Sequence, residues 1–150
     1  MDLAGYLSQV TIGAILPQDR AKKAMKNQAR ILIVGDEPDT VGLIELTLRP
    51  AGYELSLAYS GEDALNKLRN ETFDLLLLDV MMPEITGFDV IRALSEENKT
   101  IPPIIFLSAK GQQKDIDEGN ALGAAGYLVK PATRGQLLDA IGAALYEAKR

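Results

Sequence analysis

Four consecutive leucines, Leu75 to Leu78, run straight into Asp79 within the stretch FDLLLLDVMMPEITG, Phe73 to Gly87. An apolar run this short predicts a strand covered on both faces, the habit of a parallel sheet lying between helices, rather than a half-exposed edge. Asp79 then stands at the carboxyl end of that strand. In open α/β sheets chemistry gathers at the carboxyl ends of the strands, so the position of this carboxylate is itself a functional signal. Pro83 and Gly87 mark a turn before the next helix.

The remaining pattern supplies the partners such a strand needs. Ile31 to Val34 predicts a first strand ending at Gly35, Asp36 and Glu37, and Pro38 opens a helix to about Arg49, closed by Gly52. Glu54 to Tyr59 predicts a second strand. Ser60 caps a helix from Gly61 to about Arg69, with Glu62 and Asp63 at its positive end. After the Asp79 strand come a helix from Phe88 to about Glu97, a strand Ile104 to Leu107 ending at Ser108, and a helix Gln113 to Leu122 before Gly123. Tyr127 to Val129 predicts the fifth strand, running into Lys130 and Pro131. Thr133 caps a closing helix that presents Leu137, Leu138, Ile141 and Leu145 to the core. Five strands alternating with five helices predict a parallel, doubly wound α/β sheet with right-handed crossovers and the order 2-1-3-4-5.

Residues 1–30 read differently and are assigned to a helical extension or linker, with the main domain at 31–150. Leu3, Leu7, Val10 and Ala14 recur at helical spacing, Asp2 lies near the start, and Pro17 ends the pattern. Gln18 to Arg30 predicts either a second helix or a solvated linker. The stripe predicts a helix that docks on its own domain or on a twin, the latter making a homodimer. It is not read as a secretory signal, because its positive charges follow the apolar part. A helix lying on a membrane surface is disfavoured by Gly5, Gly13 and the shortness of the apolar stretch.

Composition removes several chemistries. The 150 residues contain neither cysteine nor histidine, which excludes disulfides, thiolate sites, imidazole bases and imidazole metal ligands and leaves oxygen chemistry. No apolar run approaches the roughly 18 residues of a membrane span, and a soluble cytoplasmic protein is expected. The net charge of −5 is unevenly spread: residues 1–30 carry five basic and two acidic side chains, residues 31–150 eleven and nineteen. So acidic a domain is not expected to bind nucleic acid directly.

The predicted strand ends collect Asp36 and Glu37 after the first strand, Asp79 after the third, Ser108 after the fourth and Lys130 after the fifth. Carboxylates, a hydroxyl and an ammonium on one rim suit phosphoryl transfer. Clustered carboxylates hold Mg²⁺ through hard oxygen ligands, the lysine neutralises phosphoryl charge, and the hydroxyl donates a hydrogen bond. One aspartate must be the nucleophile, and Asp79 at the centre of the sheet is favoured. Each residue alone has a plainer reading: Asp79 as a helix cap, Lys130 as a surface lysine, Ser108 as a turn residue. Tyr127 alone would be packing with a wet hydroxyl.

At these residues the chain resembles a known family, the receiver domains of two-component response regulators. The resemblance spans about Ile31 to Lys149 and rests on ILIVGDEPD, LLLLDVMMPEITGFDV, IIFLSAK and GYLVKP. It implies a flavodoxin-like fold, with Asp79 as phosphoryl acceptor, Asp36 as a direct Mg²⁺ ligand and Met81 lending its backbone carbonyl to the metal. It further implies that Ser108 is the switch hydroxyl, Lys130 its cationic partner, Tyr127 the aromatic that swings inward, and the Lys130 to Pro131 bond cis. The implied partners are a sensor histidine kinase or phosphotransfer protein upstream and a protein target downstream. Such a domain takes part in its own phosphorylation and dephosphorylation without being a classical enzyme. Because the chain ends one helix after Lys130, a stand-alone regulator of the chemotaxis type is expected.

One departure stands out: Gly35 occupies the place where the family sets the first of two adjacent acids. Its loss is expected to weaken Mg²⁺ binding without abolishing the site, and Glu37, two positions on, is either a compensating acid or a solvated one. The rival function is a receiver-shaped docking scaffold that works without phosphorylation. An excised receiver of a longer kinase or regulator is a third reading, disfavoured by the opening Met1. A flavin-binding or phosphatase role is disfavoured too, because GDEPD after the first strand would repel an anion.

Overall fold

The computed structural model describes residues 29–109 and 111–149. The Leu3, Leu7, Val10 and Ala14 stripe and most of the proposed extension lie outside the described residues. Strands β1 (Arg30–Val34), β2 (Glu54–Ala58), β3 (Leu75–Asp79), β4 (Ile104–Ser108) and β5 (Gly126–Val129) form one sheet. The strand order is β2-β1-β3-β4-β5 and every pairing is parallel. Helices α1 (Pro38–Leu48), α2 (Gly61–Asn70), α3 (Gly87–Glu96), α4 (Gln113–Ala121) and α5 (Arg134–Ala148) supply the crossovers, and a 3₁₀ turn (Arg49–Ala51) follows α1. This is the doubly wound sheet that the alternation predicts, in the flavodoxin-like order that the resemblance implies.

The leucine run shows why the strand lies between helices. Leu75 and Leu77 pack with Ile31, Ile33, Ile105 and Leu107 under α1 and α5, where Val41, Leu48, Leu137 and Ile141 are buried. Leu76 and Leu78 point the other way, into a cluster with Phe106, Leu65, Phe88 and Ile91 under α2 and α3. All four leucines are 0% exposed. At about 1.5–3 kcal/mol for burial of each such side chain, this strand alone contributes several kcal/mol to folding before entropy is counted. The closing helix buries Leu137 and Ile141 as its spacing predicts, whereas Leu138 and Leu145 are only partly covered at its flanks.

Two local departures from the sequence reading have physical causes. The second strand stops at Ala58, not Tyr59, because the Tyr59 N–H is drawn to Asp63 Oδ2 (3.4 Å) as part of the α2 cap, whose Ser60 hydroxyl accepts from the Asp63 N–H (3.0 Å). Helix α3 begins at Gly87, one residue early, because Thr86 and Asp89 form a reciprocal capping box that fixes its first turn. At the opposite end of the sheet, Arg30 ties β1 to the α2–β3 loop through Glu71 (2.7 Å) and the Thr72 carbonyl (2.8 Å), with its guanidinium 4.7 Å from the Phe73 ring centre. No helix among the described residues is long and apolar enough to cross a membrane.

Candidate functional site

The carboxyl rim of the sheet is assembled by register. Val34 pairs with Leu78, Asp79 with Leu107, and Ser108 with Val129, so β1, β3, β4 and β5 end side by side. Past the last paired residues, the Val80 N–H donates to the Leu107 carbonyl (2.9 Å) and the Lys130 N–H to the Ser108 carbonyl (2.8 Å). Lys130 is therefore positioned by β4 as well as by β5, and the Lys130–Pro131 peptide is cis.

Asp79 is 5% exposed, one of two buried polar side chains among the described residues; the other is Ser108 at 1%. Burial of a carboxylate is tolerated only when it is paired and hydrogen-bonded. Asp79 meets both conditions: Lys130 Nζ lies 2.8 Å from Oδ2, and the Met81 N–H donates to Oδ1 at 3.1 Å. One partner comes from the end of β5 and the other from two residues along its own chain. A carboxylate has about four acceptor sites on its two oxygens, and these two bonds leave acceptor capacity on both.

The other predicted residues fall around this centre. Gly35 follows β1, its N–H bonded to the Ala58 carbonyl (3.1 Å), and a Cβ built on it would lie 3.7 Å from Asp79 Oδ2. Position 35 thus faces the Asp79 carboxylate, where a side chain would meet it. Asp36 is the next residue, half-buried in the bend before α1. Glu37 is exposed and accepts from the Thr40 hydroxyl at the start of α1 (3.3 Å), which favours its solvated reading. Met81 has an exposed side chain, 49% accessible, so it is its backbone that reaches Asp79. Ser108 is the buried last residue of β4. Tyr127, half-buried on β5, lies beside Phe106 with ring centres 6.4 Å apart and a tilt of 49°. A Cβ at Gly119 of α4 would come within 3.3 Å of that tyrosine ring.

Two positions support the site in ways beyond the sequence reading, in which Gly87 is only a turn marker and Thr86 is not singled out. A Cβ at Gly87 would stand 2.5 Å from the Asp79 carbonyl oxygen and 3.0 Å from Val80 Cα, so only glycine lets α3 start against the end of β3. Thr86 holds that helix start in place. Its signal, a threonine three residues ahead of Asp89, was present in TGFD as a capping-box pattern.

The rim offers oxygen donors only. Among the described residues no group of three or more Asp, Glu, His or Cys is arranged to hold a metal ion. The donor set of Asp36, Asp79 and the Met81 carbonyl nevertheless suits Mg²⁺, which is ordinarily held by one or two carboxylates and keeps several waters.

Comparison with known proteins agrees with this geometry. The family model for the response regulator receiver domain matches residues 31–142. The response regulator GtcR of Aneurinibacillus migulanus is 42% identical over 101 residues, covering 67% of this chain and 41% of that protein. The transcriptional regulatory protein CpxR of Escherichia coli is 40% identical over 116 residues, 77% of this chain and 49% of its own length. The chain thus spans about half the length of these curated relatives. Among solved structures, the chemotaxis protein CheY4 of Vibrio cholerae superposes with a TM-score of 0.71 at 34% identity, covering 77% of this chain and 97% of that one. A CheY-like receiver domain protein of Methanospirillum hungatei gives 0.75 at 27% identity, covering 82% and 98%. With its sheet order, its buried acid at the end of β3 and these matches taken together, the chain belongs to the response regulator receiver domains of two-component signalling systems.

Proposed function

We propose that this receiver is switched by phosphorylation of Asp79 and that its output is a change in a protein-binding surface. The observation that carries the reading is the nearly buried Asp79 carboxylate held 2.8 Å from the Lys130 ammonium at the end of the central strand. An Asp79 oxygen attacks the phosphorus of a phosphohistidine on a sensor kinase or phosphotransfer protein. The new O–P bond forms as the N–P bond breaks, and the imidazole leaves with the electron pair and takes up a proton. Lys130, already paired with Oδ2, is placed to neutralise charge on the transferred group. Asp36, Asp79 and the Met81 carbonyl would hold Mg²⁺, which when bound supplies charge neutralisation at the phosphoryl oxygens.

After transfer the hydroxyl of Ser108 donates to a phosphoryl oxygen, and Tyr127 turns toward the space beside β4. The region between β4 and α4 then repacks, shifting the population between two arrangements of one surface. That surface contacts a downstream protein. The test is intact mass after incubation with acetyl phosphate and Mg²⁺. A single phosphoryl adduct, absent in Asp79→Asn, is expected. An unmodified chain would refute the reading and leave a docking module that works without phosphorylation.

A further inference from the structure

Helix α1 carries an apolar surface that the fold does not cover. Leu43 and Leu46, one turn apart, are 65% and 67% exposed. Beside them a cleft of about 170 Å³ opens between α1 and the start of α5, lined by Thr40, Leu43, Ile44, Pro131 and Leu137. Lone exposed leucines are ordinary, but an i, i+3 pair flanking an apolar cleft forms a receiving face for another helix.

The chain carries a matching segment. Leu3, Leu7, Val10 and Ala14 recur at the spacing that lays one helix face into a groove. Charge favours the pairing: Arg20, Lys22, Lys23 and Lys26 follow the stripe, whereas α1 opens with Asp39 and is preceded by the exposed Glu37, its other acid, Glu45, being already paired with Arg49. Length favours it too. The described chain starts at Ala29, beside the first residue of β1, and α1 runs back along the sheet toward that end. The 14 residues from Ile15 to Gln28 span up to about 46 Å when extended, well beyond the 11 residues of α1 at about 1.5 Å each.

We propose that residues 3–14 dock on their own domain, their apolar stripe against Leu43, Leu46 and the α1–α5 cleft. A contact of three or four small side chains is weak between free molecules. A short tether raises its effective concentration to the millimolar range, which favours the chain's own segment over a second copy. Lys130 also lines the cleft, so the docked segment abuts the residue that holds Asp79. The proposal does not depend on phosphorylation.

The absence of native cysteine gives a direct test. Full-length Leu7→Cys/Leu43→Cys is oxidised at low micromolar concentration beside Leu7→Cys/Thr100→Cys. Thr100 is an exposed residue on the rim of a separate groove that also includes Ala29. Both cysteine acceptor sites are at the surface, and a circular dichroism melt verifies that each variant is folded. An intramolecular disulfide forming at least tenfold faster in the Leu43 pair, and slowed at least fivefold by adding Leu3→Glu and Val10→Glu, is expected. Equal rates, a faster Thr100 pair, covalent dimers as the main product, or no effect of the two glutamates would each overturn the proposal.

Discussion

Gly35→Asp is the sharpest probe of the rim, because the distances at that position are short. An ideal Cβ there would lie 3.7 Å from Asp79 Oδ2 and 3.8 Å from Asp79 Cβ. A carboxylate carried on it would sit roughly 5 Å from that of Asp79, and at an effective dielectric constant near 20 the two charges repel by about 3 kcal/mol. Lys130 offsets part of this, while Val41 Cγ2, 3.0 Å from the same Cβ, has to yield and adds to the cost. The net loss without a divalent cation is expected to be about 1–3 kcal/mol. If Asp36 and Asp79 hold Mg²⁺ as proposed, the ion reverses the sign, since a third carboxylate adds to its attraction; a gain of about 1.4 kcal/mol in binding is a tenfold tighter Kd. Urea denaturation of the full chain, with and without several millimolar Mg²⁺, reads both effects through the linkage of ligand binding to stability. Gly35→Asp should have the lower midpoint without Mg²⁺ and the larger rise with it. A variant as stable as the parent in metal-free buffer, or one gaining no more from Mg²⁺, would refute the claim that position 35 faces a cation site.

Three further outcomes follow from the same geometry. Lys130→Met should cost about 2–3 kcal/mol in urea unfolding, because it strands a nearly buried carboxylate, and adding Asp79→Asn should recover part of that loss. Gly87→Ala should destabilise by about 1–3 kcal/mol, because its Cβ meets backbone atoms that cannot step aside, whereas Gly142→Ala on α5, with nothing within 4 Å, should be neutral or stabilising. Asp89 is held below the usual carboxylate range chiefly by the Thr86 backbone N–H, with Arg92 assisting. Its folded pKa is depressed, so its contribution is full above the ordinary value near 4 and fades as pH falls through the lowered one. Thermal melts in that acid window should fall less steeply for Asp89→Asn than for the parent; identical slopes would remove Asp89 from the account.

What could be read from the chain alone was whatever periodicity and turn chemistry fix locally. Leu75 to Leu78 announced a two-sided strand because a parallel sheet between helices gives every position a buried neighbour, and the structure covers all four. Alternating strands and helices pointed to a parallel doubly wound sheet, and in the 2-1-3-4-5 order expected of one class of such sheets Asp79, Ser108 and Lys130 come to adjacent strand ends, as the structure shows. Contacts between distant backbones carried no such signature. Nothing in the letters around Gly87 showed that a side chain there would run into the Asp79 carbonyl, since glycine at a helix start is also ordinary turn chemistry. Likewise Tyr59 continued the pattern of β2, and only the competition from the Ser60 and Asp63 cap took it out of the strand.

These backbone contacts also bear on how a signal placed on Asp79 would travel. The Val80 N–H is bonded to the Leu107 carbonyl, the Gly87 N–H to the Val80 carbonyl, and α3 begins so close to the end of β3 that a Cβ at Gly87 would meet the Asp79 carbonyl, under the constraint of the Thr86 and Asp89 box. The peptide that carries the acid is thus tied to β4 on one side and to α3 on the other. Charge added to such a residue has little freedom to relax by moving its own backbone. The response has to come from the side chains around the carboxylate: Lys130, which pairs with it, and along the same rim the buried Ser108 at the end of β4 and the half-buried Tyr127 of β5 near Gly119 of α4. A methyl group at position 119 would stand 3.2 Å from Phe106 and 3.3 Å from Tyr127, tighter than ordinary contact, so Gly119→Ala should bias that ring even in the unphosphorylated chain. Tyrosine fluorescence that differs between Gly119→Ala and the parent before acetyl phosphate, and converges after it, is the expected result. A ring environment identical in both before treatment would place the responsive packing somewhere other than β5 and α4.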